Sequence, residues 1–195
     1  MAKANKLKEM PAVGKSTAAS SNTRIIDRFY PNGVDLEDDA KKQLIQILNE
    51  KLAESFDIYS QAKFAHWNVK GTDFYQLHLL FDKIAEIVEP HADMLAERIT
   101  ALGGVANGTV RQAAQASRIP EYDVDAVLGM DHVRALSRSL AQHCASMRDA
   151  LDKTEEVGAD PTHDFLNQMI IELEQGLYFL ESHLEAGGAQ KQNAR

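Results

Sequence analysis

Residues 66–82 read HWNVKGTDFYQLHLLFD, and the spacing inside this stretch decides how the rest of the chain is read. Gly71 interrupts an apolar period of three to four, and Asp73 with Gln76 restarts it, so the stretch predicts a turn between two helices. His66 falls at the end of the first helix. His78 and Asp82 lie four apart on the second and therefore project from one face. Upstream, Leu44, Leu48, Leu52, Phe56 and Tyr59 form the stripe of a first helix, capped by Asp35 and running to about Val69. Downstream, Phe74, Leu77, Phe81, Ile84, Val88, Leu95, Ile99 and Leu102 form a second, ended by Gly103 and Gly104. Pro90 removes one backbone hydrogen bond inside it and predicts a kink.

Residues 103–130 predict an irregular connection with one short helix in TVRQAAQAS. A third stripe follows at Val133, Leu136, Leu140, Cys144, Met147 and Leu151, closed by Gly158. A fourth starts with Asp160 as cap and Pro161 in the first turn, then carries Leu166, Met169, Leu173, Leu177, Leu180 and Leu184. Strand signals are absent. Short links pair the helices antiparallel in twos, while the middle connection is long enough to cross the bundle. The predicted fold is all-α, a ferritin-like four-helix bundle with a short extra helix in the crossover between helices two and three. The expected boundaries are a disordered basic N-terminal tail over 1–34, the bundle over 35–185 and a flexible C-terminal tail over 186–195.

Composition narrows the setting. A chain of 195 residues with 44% hydrophobic and 26% charged residues suits one soluble domain. No apolar run reaches the roughly 18 residues of a membrane span. One cysteine, Cys144, forms no internal disulfide, and the lysine-rich start lacks the apolar core of a secretory signal, so a reducing cytoplasm is the expected location. Within residues 1–24, Lys3, Lys6, Lys8, Lys15 and Arg24 face Glu9 alone, a local +4 in a chain of net charge −8.

A second acidic pair completes the pattern. Asp93 and Glu97 are again four apart, and the eleven residues from Asp82 to Asp93 return to nearly the same face. At 1.5 Å per residue, however, the two pairs stand roughly 16 Å apart, too far to share one metal site. A two-fold axis near residues 87 and 88 removes the difficulty. An antiparallel copy then sets Asp93 and Glu97 of one subunit against His78 and Asp82 of the other, with His66 adding a second imidazole. Two histidines and three carboxylates suit iron, manganese or zinc better than calcium or magnesium. Two iron ions held together deliver two electrons to peroxide at once, whereas a single Fe(II) delivers one and releases hydroxyl radical. A di-iron oxidation site is therefore the expected chemistry, with zinc as a competitor.

HWNVKGTDFYQLHLLFD followed by DMLAERITALGG resembles the signature of Dps, the DNA-binding protein from starved cells, a miniferritin. The likeness extends over residues 35–185. It implies a hollow homododecamer that oxidises Fe(II), preferably with hydrogen peroxide, and stores ferric mineral, protecting the cell from oxidative damage. It also implies a ferroxidase site across the two-fold interface, with His66, His78 and Asp82 from one subunit and Asp93 and Glu97 from its neighbour. Acidic residues at the turn between helices three and four, among them Asp152, Asp160 and Asp164, would line iron-entry pores by the same likeness. The plainer reading is a solvated turn.

Trp67 is expected as an interface or core aromatic, with a quencher of oxidising equivalents as the less ordinary role. His91, His132, His143, His163 and His183 are read as structural. An ordinary ferritin is disfavoured because the chain holds no Glu-x-x-His. A DNA-compacting particle, bound through twelve basic tails with metal oxidation secondary, is the competing function.

Overall fold

The structure, a computed structural model, describes residues 23–192. The elements are α1 (Asp38–Asn68), α2 (Phe74–Ala101), α3 (Val110–Ala116), α4 (Gly129–Glu156) and α5 (Asp160–Gln192). Among the described residues there is no strand, and one isolated bridge joins Lys70 to Leu128. The pairs α1–α2 and α4–α5 pack most closely, with α1 against α4 and α2 against α5 closing the bundle. The short α3 sits in the crossover and packs on α1.

The apolar stripes become the core. Leu44, Leu48, Leu52, Phe81, Ile84, Val88, Leu95, Leu136, Leu140 and Leu180 are buried to within 1% of complete. Phe74 departs from its stripe and is exposed, its ring tilted over His78 at 5.2 Å between centroids. Pro90 does not divide α2, which runs unbroken from Phe74 to Ala101. Pro90 and Glu86, whose carbonyl loses its donor, both face solvent, so water can satisfy the freed acceptor.

Helix starts differ from the sequence expectation. Glu37, not Asp35, precedes α1, and its carbonyl receives the Lys41 amide at 3.0 Å. Asp160 lies inside the first turn of α5 rather than capping it. The Ala159 carbonyl accepts from Thr162 and His163 at 2.8 and 3.0 Å, while Asp160 complements the helix dipole as a first-turn acid. The Asp73 side chain makes no cap bond to the α2 backbone, though its carbonyl accepts from the Leu77 amide at 3.1 Å. The capping box belongs to α3, where Thr109 and Gln112 satisfy each other's backbone amides.

Two boundaries move. Residues 23–34, expected within the disordered tail, run as a strap along the crossover. The Ile26 amide donates to Asn107 at 2.8 Å, the Gln112 side chain donates to the Arg24 carbonyl at 2.9 Å, and the Tyr30 amide donates to Gly103 at 2.7 Å. Gly103 is at φ +94°, and a Cβ there would lie 2.2 Å from the Tyr30 carbonyl oxygen, so the strap requires glycine. At the other end α5 extends to Gln192, past the expected limit at 185. The lysines of the basic tail lie in residues 1–22, outside the described residues. No helix among the described residues is long and apolar enough to cross a membrane.

Candidate metal centre

The turn between α1 and α2 puts His66 and His78 face to face. Gly71 adopts φ +115°, which reverses the chain within five residues. The two imidazoles stack at 3.7 Å with their planes 22° apart. Each ring is held by the other residue's backbone: His66 Nδ1 donates to the His78 carbonyl at 2.8 Å, and His78 Nδ1 donates to the His66 carbonyl at 2.9 Å. A carbonyl only accepts, so Nδ1 carries a proton on both rings, and in the neutral imidazoles the lone pair lies on Nε2. Backbone bonds of this kind orient metal-ligating histidines in general.

Asp82 stands beside them, 3.8 Å from His66 Nδ1. Its carboxylate is occupied by a residue the sequence reading missed. Lys63, one helical turn before His66 on α1, places Nζ 2.5 Å from Asp82 Oδ1. The hydrogen bond from Lys63 holds the Asp82 carboxyl below the usual range, and the ammonium charge adds to the effect. The partnership in turn raises the Lys63 ammonium. A cation already sits where a second carboxylate-bound cation would bind. The signal was present in the i,i+3 spacing of Lys63 and His66, but its carboxylate partner lies on another helix.

Asp93 and Glu97 do not join this group. Both lie further along α2, exposed, and among the described residues neither carboxylate has a hydrogen-bond or ion-pair partner. No group of three or more His, Cys, Asp or Glu among the described residues is placed to hold a metal within one chain. Trp67 is not a core residue: it is 65% exposed beside the turn. Leu79 and Met94, on the carboxylate-bearing helix, are exposed as well. Asp152, Asp160 and Asp164 are exposed around the α4–α5 turn, and His163 stands 3.8 Å from Asp164.

Two of the buried histidines have partners across helices. His91 meets Glu172 at 2.8 Å, and His143 meets Glu54 at 3.3 Å. Lys51 also pairs with Glu54, at 2.9 Å, and Ser146 donates to the other Glu54 oxygen at 3.0 Å. Burial alone would raise the Glu54 carboxyl, but the His143 hydrogen bond and the Lys51 charge outweigh it and hold the group low. Lys51 and Glu54 are three apart on α1, but His91–Glu172 and His143–Glu54 join residues far apart in the chain, so no local spacing announced them.

Comparisons with known proteins agree with this architecture. The ferritin-like domain matches residues 45–187. The chain is 34% identical to a "DNA protection during starvation protein" of Agrobacterium fabrum over 77% of its own length and 93% of the relative's. A protein of the same name from Halobacterium salinarum is 33% identical, over 77% and 82%. Among solved structures, DpsA14 from Streptomyces coelicolor superposes with a TM-score of 0.77 at 31% identity, covering 82% of this chain and 95% of that one. A Dps protein from Vibrio cholerae, described as a member of the ferritin-like diiron-carboxylate superfamily, gives 0.74 at 27% identity, covering 78% and 96%. With the fold, the extent of the match and the sequence likeness in agreement, the chain belongs to the Dps branch of the ferritin-like family.

Proposed function

We propose that the protein is a miniferritin ferroxidase whose working site is shared between two subunits. Iron handling of the ferritin type goes with the family. The finer assignment is that Fe(II), the substrate and cargo, binds between His66, His78 and Asp82 of one chain and Asp93 and Glu97 of another, and is oxidised there by hydrogen peroxide. The observation that carries it is the reciprocal Nδ1–carbonyl pair, which leaves Nε2 of both rings without a protein partner among the described residues, on histidines next to Asp82. A nitrogen and oxygen set of this kind suits Fe(II).

The chain's own residues would act as follows. The two carbonyls orient the imidazoles. Asp82, kept ionised, supplies charge to the same half, and Lys63 yields its hold on Asp82 as the cation charge there rises. Asp93 and Glu97, exposed and unpartnered in one chain, would close the site from the second. The exposed Leu79 and Met94, whose positions straddle residues 86 and 87, suit an antiparallel two-fold contact there. Twelve subunits would enclose the mineral, with Asp152, Asp160 and Asp164 drawing iron inward.

The test is anaerobic titration of metal-free protein with Fe(II), then addition of peroxide or air while ferric product is followed optically. Saturable binding and faster oxidation by peroxide are expected. Zinc should compete and slow the reaction, because such sites generally prefer Zn(II) to Fe(II). An oxidation rate equal to that of free iron, or one indifferent to zinc, would contradict the ligand set.

The charge of residues 1–24 favours a second reading, a DNA-compacting particle. Binding that vanishes on deleting residues 1–22 and weakens steeply with salt would support it. Equal binding by the truncated particle would remove it.

A further inference from the structure

We infer that Tyr122 and His132 form a redox-active pair: the buried phenol gives an electron to strong one-electron oxidants formed near the candidate centre, and its proton to His132 Nδ1. The inference rests on the proposed ferroxidase reading only for the source of the oxidant.

The chain has five tyrosines. Tyr30, Tyr75 and Tyr178 are exposed by 52% or more, and Tyr59 is half-buried, whereas Tyr122 is 8% exposed. Among the described residues, only Tyr122 directs its hydroxyl at a nitrogen base. Its oxygen lies 2.8 Å from Nδ1 of His132, which is fully buried. His132 Nε2 has no hydrogen-bond partner. That absence settles who donates. If the phenol donates to Nδ1, one group is orphaned, the Nε2–H. If Nδ1–H donated to the phenol, both the Nε2 lone pair and the phenol O–H would be orphaned. Orphaned buried polar groups are costly, so the first arrangement holds, and it places a base within hydrogen-bond reach of the phenol proton.

The surroundings suit a transient charge. Burial pushes the Tyr122 phenol up and the His132 imidazole down, so both are neutral at rest. Asp123 and Asp131 flank the pair and favour a positive imidazole once it forms, with Arg134 bound to Asp131 at 2.9 Å moderating the second. Phe64 packs edge-on to Tyr122 at 5.2 Å, and Phe81 packs edge-on to His132 at 6.2 Å. These two rings adjoin Lys63 and Asp82 in sequence, so aromatic contact runs from the pair to the helices that carry the candidate ligands. Tyr122 also lines a cleft of about 750 Å³ shared with Lys63, Phe64 and Trp67. The bridge between Lys70 and Leu128 ties the Tyr122 loop to the α1–α2 turn.

The step balances. Where one Fe(II) meets peroxide alone, one electron passes to peroxide, giving Fe(III), hydroxide and hydroxyl radical. The radical takes one electron from Tyr122 and becomes hydroxide, while the phenol proton moves to His132. The product is a neutral tyrosyl radical hydrogen-bonded to an imidazolium. A second Fe(II) returns the electron, and the proton moves back.

The test uses the full chain loaded with Fe(II), mixed with peroxide, freeze-quenched and read by electron paramagnetic resonance. A tyrosyl signal is expected in the wild type. Tyr122→Phe should lower it at least about tenfold while iron oxidation stays within about twofold, and His132→Gln should lower it comparably, since it removes the base but not the phenol. Normal iron oxidation without a tyrosyl signal, or an undiminished signal in Tyr122→Phe, would overturn the pair and leave the ferroxidase reading intact. If wild-type protein oxidises no iron, that reading fails instead. The pair is then decided on metal-free protein with photo-excited ruthenium tris-bipyridine and persulfate: Tyr122→Phe must lose the early tyrosyl signal, and retention overturns the inference.

Discussion

Lys51 and Lys63 stand on the same helix, and each holds a carboxylate beside a histidine, yet the two clusters differ in what they leave unsatisfied. At Lys51, the carboxylate of Glu54 also takes His143 and Ser146, and Ser55 lies 3.4 Å from the other His143 nitrogen. Both charged side chains are nearly sealed, at 6% and 1% exposure. Every polar atom of that cluster has a protein partner, so it joins α1 to α4 and has no vacant donor atom for a ligand. At Lys63 the side chains are open, at 22% and 35%, and the two imidazoles next to them spend only Nδ1 on the protein. Residue type does not separate a structural cluster from a ligand set. Leftover lone pairs do.

The contrast breaks first where burial is deepest. Lys51→Met strands the Glu54 carboxylate in the core and should cost about 3–5 kcal/mol in denaturant unfolding, while assembled protein oxidises iron at the wild-type rate. Glu97→Ala should behave in the opposite way. It removes an exposed carboxylate, so stability should change by no more than about 0.5 kcal/mol, but rapid oxidation should fall about a hundredfold in stopped-flow absorbance. Lys63→Met sharpens the comparison. Freed from its ammonium, the Asp82 carboxyl returns toward its ordinary range, and calorimetry should show Zn(II) binding strengthened by about tenfold.

The smallest expected effect concerns pH. Burial lowers the His132 imidazole from its ordinary 6.5, so the unfolded chain takes up a proton that the folded chain refuses. Stability should be full above about pH 6.5 and decline below it by at most about 1.4 kcal/mol per unit for this group. His132→Gln should flatten that slope in thermal melts recorded across the range.

Much of this was legible because helices repeat on themselves. The stripes of α1, α2, α4 and α5 announce their own cores, and His78, Asp82, Asp93 and Glu97 share one helix, where spacing alone sets their faces. The rest depended on groups that meet only after folding. Lys63 finds Asp82 on another helix, Tyr122 reaches His132 out of a loop, and Glu54 meets His143 across the bundle. The strap of residues 23–34 hid for a related reason: its bonds go to Asn107, Gln112 and Gly103, and its own composition has no period to betray them.

The shared site is the central claim, and subunit mixing tests it most directly. One variant carries His78→Ala with Asp82→Ala, the other Asp93→Ala with Glu97→Ala. Each alone should assemble and lose rapid peroxide-driven oxidation of Fe(II). Co-expressed, half of randomly formed dimers are mixed, and each mixed dimer rebuilds one site of two, so activity should recover to roughly a quarter of wild type. No recovery, in a preparation that native mass spectrometry shows to contain mixed dimers, would contradict a site built from two chains.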